Sequence, residues 1–166
     1  MHINNYIGAF ICACALGFAL IYLQGELNLD PCPLCVVDRI ILVLMALFFL
    51  LAEIPTPKSK IRKSLAITNV LLGGLGIFFA SRHVYIQNQP AAEIADCGAG
   101  FWYMLDHFPI LDTLKFVLEG SGECGKISWT FLNLSIPVWT LMLFIILSFF
   151  TIIEIRTAFS SKNRVK

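Results

Sequence analysis

The chain carries at positions 30–39 the segment Asp30-Pro31-Cys32-Pro33-Leu34-Cys35-Val36-Val37-Asp38-Arg39, directly before an apolar run that begins at Ile40. Pro33 suits the first position of a helix, where no backbone N–H is needed, so Cys32 is the predicted N-cap. A close pair of thiols at a membrane edge can exchange with a soluble partner on one side and a lipid-soluble partner on the other. We therefore predict that electrons pass through Cys32 and Cys35.

The composition indicates a membrane protein. Of the 166 residues 58% are hydrophobic and 14% charged, and the mean hydropathy is +0.79, whereas about a quarter of an ordinary soluble domain is charged. A helix needs about 20 apolar residues to cross a bilayer. Four segments lack charge over most of that length: Tyr6–Leu23, Ile40–Ala52, Leu65–Ala80 and Ile136–Ile153.

We therefore predict an all-α membrane protein, a bundle of four transmembrane helices forming a single membrane domain over residues 1–166. The predicted helices are 6–24, 33–54, 65–87 and 136–155. A long outer loop is expected to carry a short interfacial helix at Asp112–Glu119, because its apolar residues share one face. An ordinary loop helix folded on the bundle is the alternative.

Basic residues mark one side of the membrane. They cluster in the link at 55–64 and in the C-terminal tail, as Lys58, Lys60, Arg62, Lys63, Arg156, Lys162, Arg164 and Lys166. By the positive-inside rule, both termini and this link are cytoplasmic, and the loops at 25–32 and 88–135 lie outside. The first segment lacks a basic start and is longer than the apolar core of a signal peptide, so we expect it to persist as a helix.

The cysteines follow this topology. Cys12 and Cys14 lie inside the first helix, where small apolar residues are expected to pack. The other four cysteines lie in the outer loops, and four thiols in an oxidising compartment suggest two disulfides. Glycines flank both Cys97 and Cys124, which predicts mobile, exposed segments whose disulfide is readily exchanged.

A relay therefore follows, in which an outside thiol reduces the Cys97–Cys124 pair, which then exchanges with Cys32–Cys35. The positive end of the second helix and Arg39, one turn further on, favour a thiolate at Cys35. Cys32 is predicted to be the more exposed of the two. A lipid-soluble two-electron carrier such as a quinone must then be reachable from Cys35. A structural disulfide and a zinc site are the alternatives, although zinc favours two closely spaced cysteine pairs.

An ordered set of motifs runs along the chain: Cys32-Pro-Leu-Cys35-x-x-x-Arg39, then Arg82, His83 and Gln87, then Gly122-Glu-Cys124-Gly-x-x-x-Trp129-x-Phe131-Leu-x-Leu-x-x-Pro137-x-Trp139. This set resembles the bacterial disulfide bond formation protein B (DsbB) family over nearly the whole chain. The resemblance implies an inner-membrane, quinone-dependent oxidoreductase that reoxidises a periplasmic thiol oxidase of the DsbA type, with both cysteine-containing loops in the periplasm.

The resemblance also implies roles for individual residues. Cys97 would accept the partner's cysteine, and Cys124 would exchange with Cys32. Cys35 would contact the quinone, ubiquinone or menaquinone, as a thiolate beside Arg39. The same quinone pocket would be lined by His83 and Gln87.

Two alternatives of other kinds remain at this stage. One is a non-enzymatic four-helix membrane scaffold whose outer loop is held by structural disulfides. The other is a quinone reductase of the vitamin K epoxide type, in which the membrane-edge cysteine pair generally follows the loop cysteines. Here the order is reversed, because Cys32 and Cys35 precede Cys97 and Cys124.

The segment Glu93–Ala99 is the predicted docking strand for the soluble partner.

Overall fold

The computed structural model describes residues 2–53, 59–89, 107–109, 111–112, 115 and 122–163. The helices are α1 (His2–Gly17), continued by a π-helical segment (Phe18–Glu26), α2 (Pro33–Glu53), α3 (Ser59–Gln87), the one-turn α4 (Gly122–Gly125) and α5 (Ile136–Asn163). Two short strands, β1 (Thr130–Phe131) and β2 (Leu134–Ser135), pair in antiparallel fashion before α5.

Within the described residues, four helical stretches are long and apolar enough to cross a membrane: Asn4–Glu26, Pro33–Glu53, Ile61–Gln87 and Ile136–Ile153. Large apolar side chains stay exposed along them, among them Ile21, Leu71 and Phe149. Such exposure suits helices whose outer faces meet lipid, which is as apolar as the side chains themselves. The predicted all-α membrane fold with four spanning helices is confirmed.

The helices pack around a shared apolar core. Helix α3 packs against both α2 and α5, and α1 packs against α2. The largest buried side chains of the core are Met45, Phe49, Phe144 and Leu147. Cys12 is buried among them as predicted, but Cys14 is exposed, because two residues along a helix turn a side chain to the opposite face.

Two helices extend further than the sequence predicted. Helix α3 begins at Ser59 instead of 65, and α5 continues to Asn163 instead of ending at 155. The polar and basic residues at these ends are compatible with helix and no proline interrupts them, so both helices project beyond their apolar spans. The predicted cytoplasmic link is correspondingly shorter, and residues 54–58 within it lie outside the described part of the chain.

The region before α5 forms a β-hairpin, whereas the sequence predicted a loop with at most a short helix over residues 88–135. The turn residues Leu132 and Asn133 have φ angles of 51° and 60°. Two successive positive φ angles are those of a type I′ turn, whose twist suits a two-residue hairpin. Strands of two residues are too short for an alternating pattern to be recognised.

Helices α3 and α5 approach so closely at Gly76 that a side chain would not fit. A Cβ atom added there would lie 2.5 Å from the ring of Phe144, whereas one added at Gly74 would meet nothing within 4 Å. We expect Gly76→Ala to lower the free energy of unfolding by about 1–3 kcal/mol, the usual cost of overpacking. Gly74→Ala is the matched control and should be neutral or slightly stabilising, because alanine favours helix. Unfolding in detergent, followed by circular dichroism, measures both, and equal stabilities would contradict the close approach.

Candidate functional site

The first turn of α2 brings the two thiols of the opening motif together. The carbonyl of Cys32 accepts the Val36 N–H at 3.1 Å, and its Sγ accepts the Cys35 N–H at 3.3 Å. Cys32 is therefore the N-cap, as predicted, and its side chain satisfies one of the free amides of the helix start. This geometry holds the Sγ atoms of Cys32 and Cys35 2.9 Å apart, so that a small approach would join them.

A third thiol reaches the same place from the segment between α3 and α5. Cys124, in α4, is buried in a cluster with Cys32, Leu34 and Ile86, and its thiol hydrogen-bonds with that of Cys32. The predicted exposed and mobile position of Cys124 is wrong: its side chain has no exposed surface. The reason is that α4 packs against α3 and carries the small thiol inward between apolar residues.

The exposures of the two α2 cysteines are also the reverse of the prediction. Cys32 is only 6% exposed, whereas Cys35 is half-buried, because Cys124 and His83 cover Cys32. The hydrogen bond with the Cys124 thiol, then that with Cys35, then burial raise the pKa of Cys32 well above its ordinary value. The reduced Cys32 therefore retains its proton at neutral pH.

His83 stands against the same sulfur from α3. Its Nε2 lies 3.6 Å from the Sγ of Cys32, and its side chain is 3% exposed. Gln87, one helical turn further on, shares this face of α3. Both residues line one cavity together with Cys32 and Cys35, and the binding of a quinone in it stays a prediction.

This cavity has a volume of about 380 Å³ and is bounded by all four spanning helices and the hairpin. Apolar and aromatic side chains form most of its wall, including Phe18, Leu42, Trp129, Phe131, Trp139 and Leu143. Trp139 donates its indole N–H to the Phe131 carbonyl at 3.2 Å, which fixes the hairpin against α5. The volume, the apolar wall and the few polar groups are those of a small-molecule site.

Arg39 lines the cavity, and the groups that hold it were not predicted from the sequence. Its Nη1 donates to the Gln24 Oε1 at 2.8 Å, and its Nη2 donates to the Ala19 carbonyl at 3.3 Å. Both acceptors belong to the π-helical segment, and such irregular turns often occur at functional sites. Gln24 could have been recognised as an uncharged polar residue at the C-terminal end of the first apolar run.

Asp38 is a second residue whose place the sequence did not reveal. It is 4% exposed and lines the cavity one turn from Cys35. Its Oδ1 has no hydrogen-bond partner among the described residues. The hydrogen bonds of the neighbouring Arg39 go instead to the π-helical segment.

Several predicted features lie outside the described residues. They are Cys97, the docking segment Glu93–Ala99 and most of the interfacial helix at Asp112–Glu119. His107, for which no role was predicted, is exposed. The described site therefore contains three of the four predicted redox cysteines and all the predicted pocket residues. Cys32 lies at its centre and can form a disulfide with either of two neighbours.

The sequence matches known proteins along nearly its whole length. Residues 4–153 match the family model described as Disulfide bond formation protein DsbB. A disulfide bond formation protein B from Methylococcus capsulatus is 43% identical over 150 residues, which cover 89% of this chain and 90% of that protein. Those from Nitrosococcus oceani and Psychrobacter cryohalolentis are 42% and 45% identical, covering 86% and 81% of this chain and 83% and 77% of their own lengths. No solved structure gives a significant match.

Proposed function

This chain belongs to the disulfide bond formation protein B (DsbB) family of multi-pass membrane proteins, and on that premise we propose that it oxidises a soluble thiol oxidase of the DsbA type and passes the electrons to a membrane quinone. The observation that supports this most directly is the position of Cys32, whose sulfur contacts the thiols of both Cys35 and Cys124. A sulfur between two others can transfer a disulfide from one pair to the other.

The proposed relay balances as two successive exchanges. The partner's two thiols reduce the Cys97–Cys124 disulfide, so the partner leaves oxidised and both loop cysteines become thiols. The Cys124 sulfur then attacks Cys32, which forms Cys32–Cys124 and releases Cys35 as a thiolate. Attack of Cys97 on Cys124 restores the loop disulfide and frees Cys32. Two electrons and their protons have then moved from the partner to the α2 pair.

The cavity beside Cys35 fits a quinone ring by its volume and its apolar, aromatic wall. A bound quinone would take up two electrons and two protons and leave as a quinol. Cys35 lines the cavity and is the more exposed cysteine of the pair. Cys32 keeps its proton because its pKa is raised. This division makes Cys35 the reactive sulfur toward the quinone.

Other side chains of the chain would orient the ring and hold protons. Arg39 adds a positive charge and Gln87 an amide to the lining, and both can donate to ring carbonyl oxygens. Asp38, buried with a carboxylate oxygen that lacks a partner among the described residues, can hold a proton at Oδ1 beside Cys35. These polar groups lie in an otherwise apolar cavity, where hydrogen bonds are strong.

We further propose that the protein lies in the bacterial inner membrane with both termini in the cytoplasm and the cysteine-containing loops in the periplasm. The clustering of Lys and Arg in the 55–64 link and the C-terminal tail supports this orientation. An oxidising periplasm also suits four thiols that work as disulfides.

A reconstituted assay tests the proposed function. The purified protein is mixed with a reduced thiol oxidase of the DsbA type and a short-chain quinone, and quinone absorbance is followed together with the partner's free thiols. We expect one quinone to be consumed for each partner disulfide formed. Absence of quinone consumption would overturn the enzyme proposal and favour the membrane scaffold with structural disulfides.

The contact between Gln24 and Arg39 predicts a role in quinone binding. Gln24→Ala removes one acceptor from the guanidinium, and we expect the quinone KM to rise about tenfold, the effect of a contribution near 1.5 kcal/mol. Gln24→Glu keeps an acceptor oxygen at the same place and should restore most of the affinity. Quinone titrations at a saturating dithiol concentration measure both. Equal defects in the two variants, or an unchanged KM in Gln24→Ala, would rule out this contact as the cause.

A further inference from the structure

The reduced thiol cluster has the donor set of a zinc site. The Sγ atoms of Cys32 and Cys35 and a ring nitrogen of His83 all lie within 4.8 Å of one another. In tetrahedral zinc sites the Zn–S and Zn–N distances of about 2.3 and 2.0 Å place sulfur and nitrogen donors about 3.5 Å apart. The Cys32 Sγ to His83 Nε2 distance of 3.6 Å meets this requirement.

The sulfur pair needs only a small adjustment. Two thiolates on one zinc ion stand about 3.8 Å apart, and the Cys32 and Cys35 sulfurs stand at 2.9 Å. Cys35 is half-buried and faces the cavity, so a change in its side-chain torsion can open this distance without moving α2.

Cys124 supplies a fourth donor. Its thiol hydrogen-bonds with that of Cys32 and is fully buried. Its sulfur is not among the donor atoms that all lie within 4.8 Å of one another, so its side chain must turn toward a metal held by Cys32 to complete the site. Three thiolates and one imidazole form a recognised type of closed structural zinc site. Soft sulfur donors also favour zinc over magnesium or calcium.

We propose that the reduced protein binds one Zn²⁺ ion through Cys32, Cys35, Cys124 and His83. Each thiol loses its proton on binding, and no electron is transferred. Because the sulfurs that bind the metal are those that form disulfides, metal binding and electron transfer exclude each other. Zinc therefore holds the protein in its reduced state. This site requires only the thiols and the imidazole, so it is independent of whether a quinone binds.

The sequence suggested that a zinc site would need a second closely spaced cysteine pair. In the folded chain, ligands from other elements can take the place of that pair. Between Cys97 and Cys124 lie 26 residues. This wide spacing gave no reason to group Cys124 with Cys32. The fold replaces that second pair with one residue from α3 and one from α4. Leu34 and Ile86 pack around the thiols and help to exclude water from the metal.

Cobalt is the spectroscopic probe for this site. The full-length protein in detergent is reduced, freed of reductant without oxygen, and titrated with Co²⁺ alone. We expect one equivalent to bind with the visible bands of tetrahedral cobalt and a thiolate charge-transfer band, and Zn²⁺ to displace it. The disulfide-bonded protein should give neither band.

Variants test the assigned ligands. We expect Cys124→Ser and His83→Ala each to weaken metal binding by at least roughly 10–100-fold. That is the effect of losing a partner that only orients a metal ligand, and loss of a ligand itself should cost at least as much. The serine nearly conserves the volume of the cysteine. Cys14→Ser, at an exposed position of α1, and Cys97→Ser should leave the spectrum unchanged. The proposal is overturned if reduced protein gives no tetrahedral spectrum. It is equally overturned if Cys124→Ser and His83→Ala bind as the unmodified protein does, since the metal would then be adventitious, or if Cys97→Ser removes the bands.

Discussion

Cys35→Ser is expected to abolish quinone reduction, lowering turnover by about three orders of magnitude or more, as loss of a nucleophile does. The serine hydroxyl can form neither a disulfide nor, at neutral pH, an appreciable anion at the start of α2. The loss should be the same with a protein dithiol and with a small dithiol, because either electron source needs Cys35 to reach the cavity. Quinone absorbance under both conditions measures it.

The same variant should also change the disulfide pattern. With Cys35 gone, the only other thiol in hydrogen-bond contact with Cys32 among the described residues is that of Cys124. We therefore expect oxidised Cys35→Ser to contain a Cys32–Cys124 disulfide and a free Cys97, which alkylation and peptide mapping under non-reducing conditions would reveal. Cys14→Ser, at an exposed position of α1, is the matched control and should keep normal turnover. Residual quinone reduction in Cys35→Ser would assign the reactive sulfur to another cysteine.

The parts of this fold that sequence predicted well are set by local patterns. Four spans follow from hydropathy alone, because a bilayer requires long apolar helices. The N-cap at Cys32 follows from Pro33, whose ring permits a helix start and little else. His83 and Gln87 share a face because of helical periodicity, so their joint presence in the cavity could be expected once the first of them was placed there.

The parts that sequence could not give depend on contacts between distant segments. Cys124 is buried because α4 packs on α3, and no pattern around its glycines encodes that contact. The exposures of Cys32 and Cys35 were reversed for the same reason, since the groups that cover Cys32 come from other elements. Gln24 reaches the Arg39 guanidinium from the π-helical segment, which displaces side chains from the regular helical period.

Cys124→Ser is the variant that separates the two halves of the proposed relay. In the unmodified protein the Cys124 thiol hydrogen-bonds with that of Cys32 and has no exposed surface. Its proposed role is therefore to pass the disulfide between the two cysteine pairs, and not to react in the cavity. We expect oxidation of the protein partner to fall by about three orders of magnitude, as for the loss of any essential sulfur. A small dithiol should still drive quinone reduction through Cys32 and Cys35, in contrast to Cys35→Ser.

The stalled intermediate identifies the entry point of the electrons. In Cys124→Ser the Cys97 thiol has no disulfide mate, so a mixed disulfide forms when Cys97 attacks the disulfide of the oxidised partner, which releases one partner thiol. Without Cys124, no second loop thiol of the membrane protein displaces the partner, so the mixed disulfide should appear as a larger species on a non-reducing gel. Adding Cys97→Ser to this variant should remove that species. If Cys124→Ser instead oxidised the protein partner at the normal rate, the partner would reach Cys32 directly. The burial of Cys32 beneath Cys124 and His83 argues against such direct access, because a protein-bound cysteine cannot approach a covered sulfur in line.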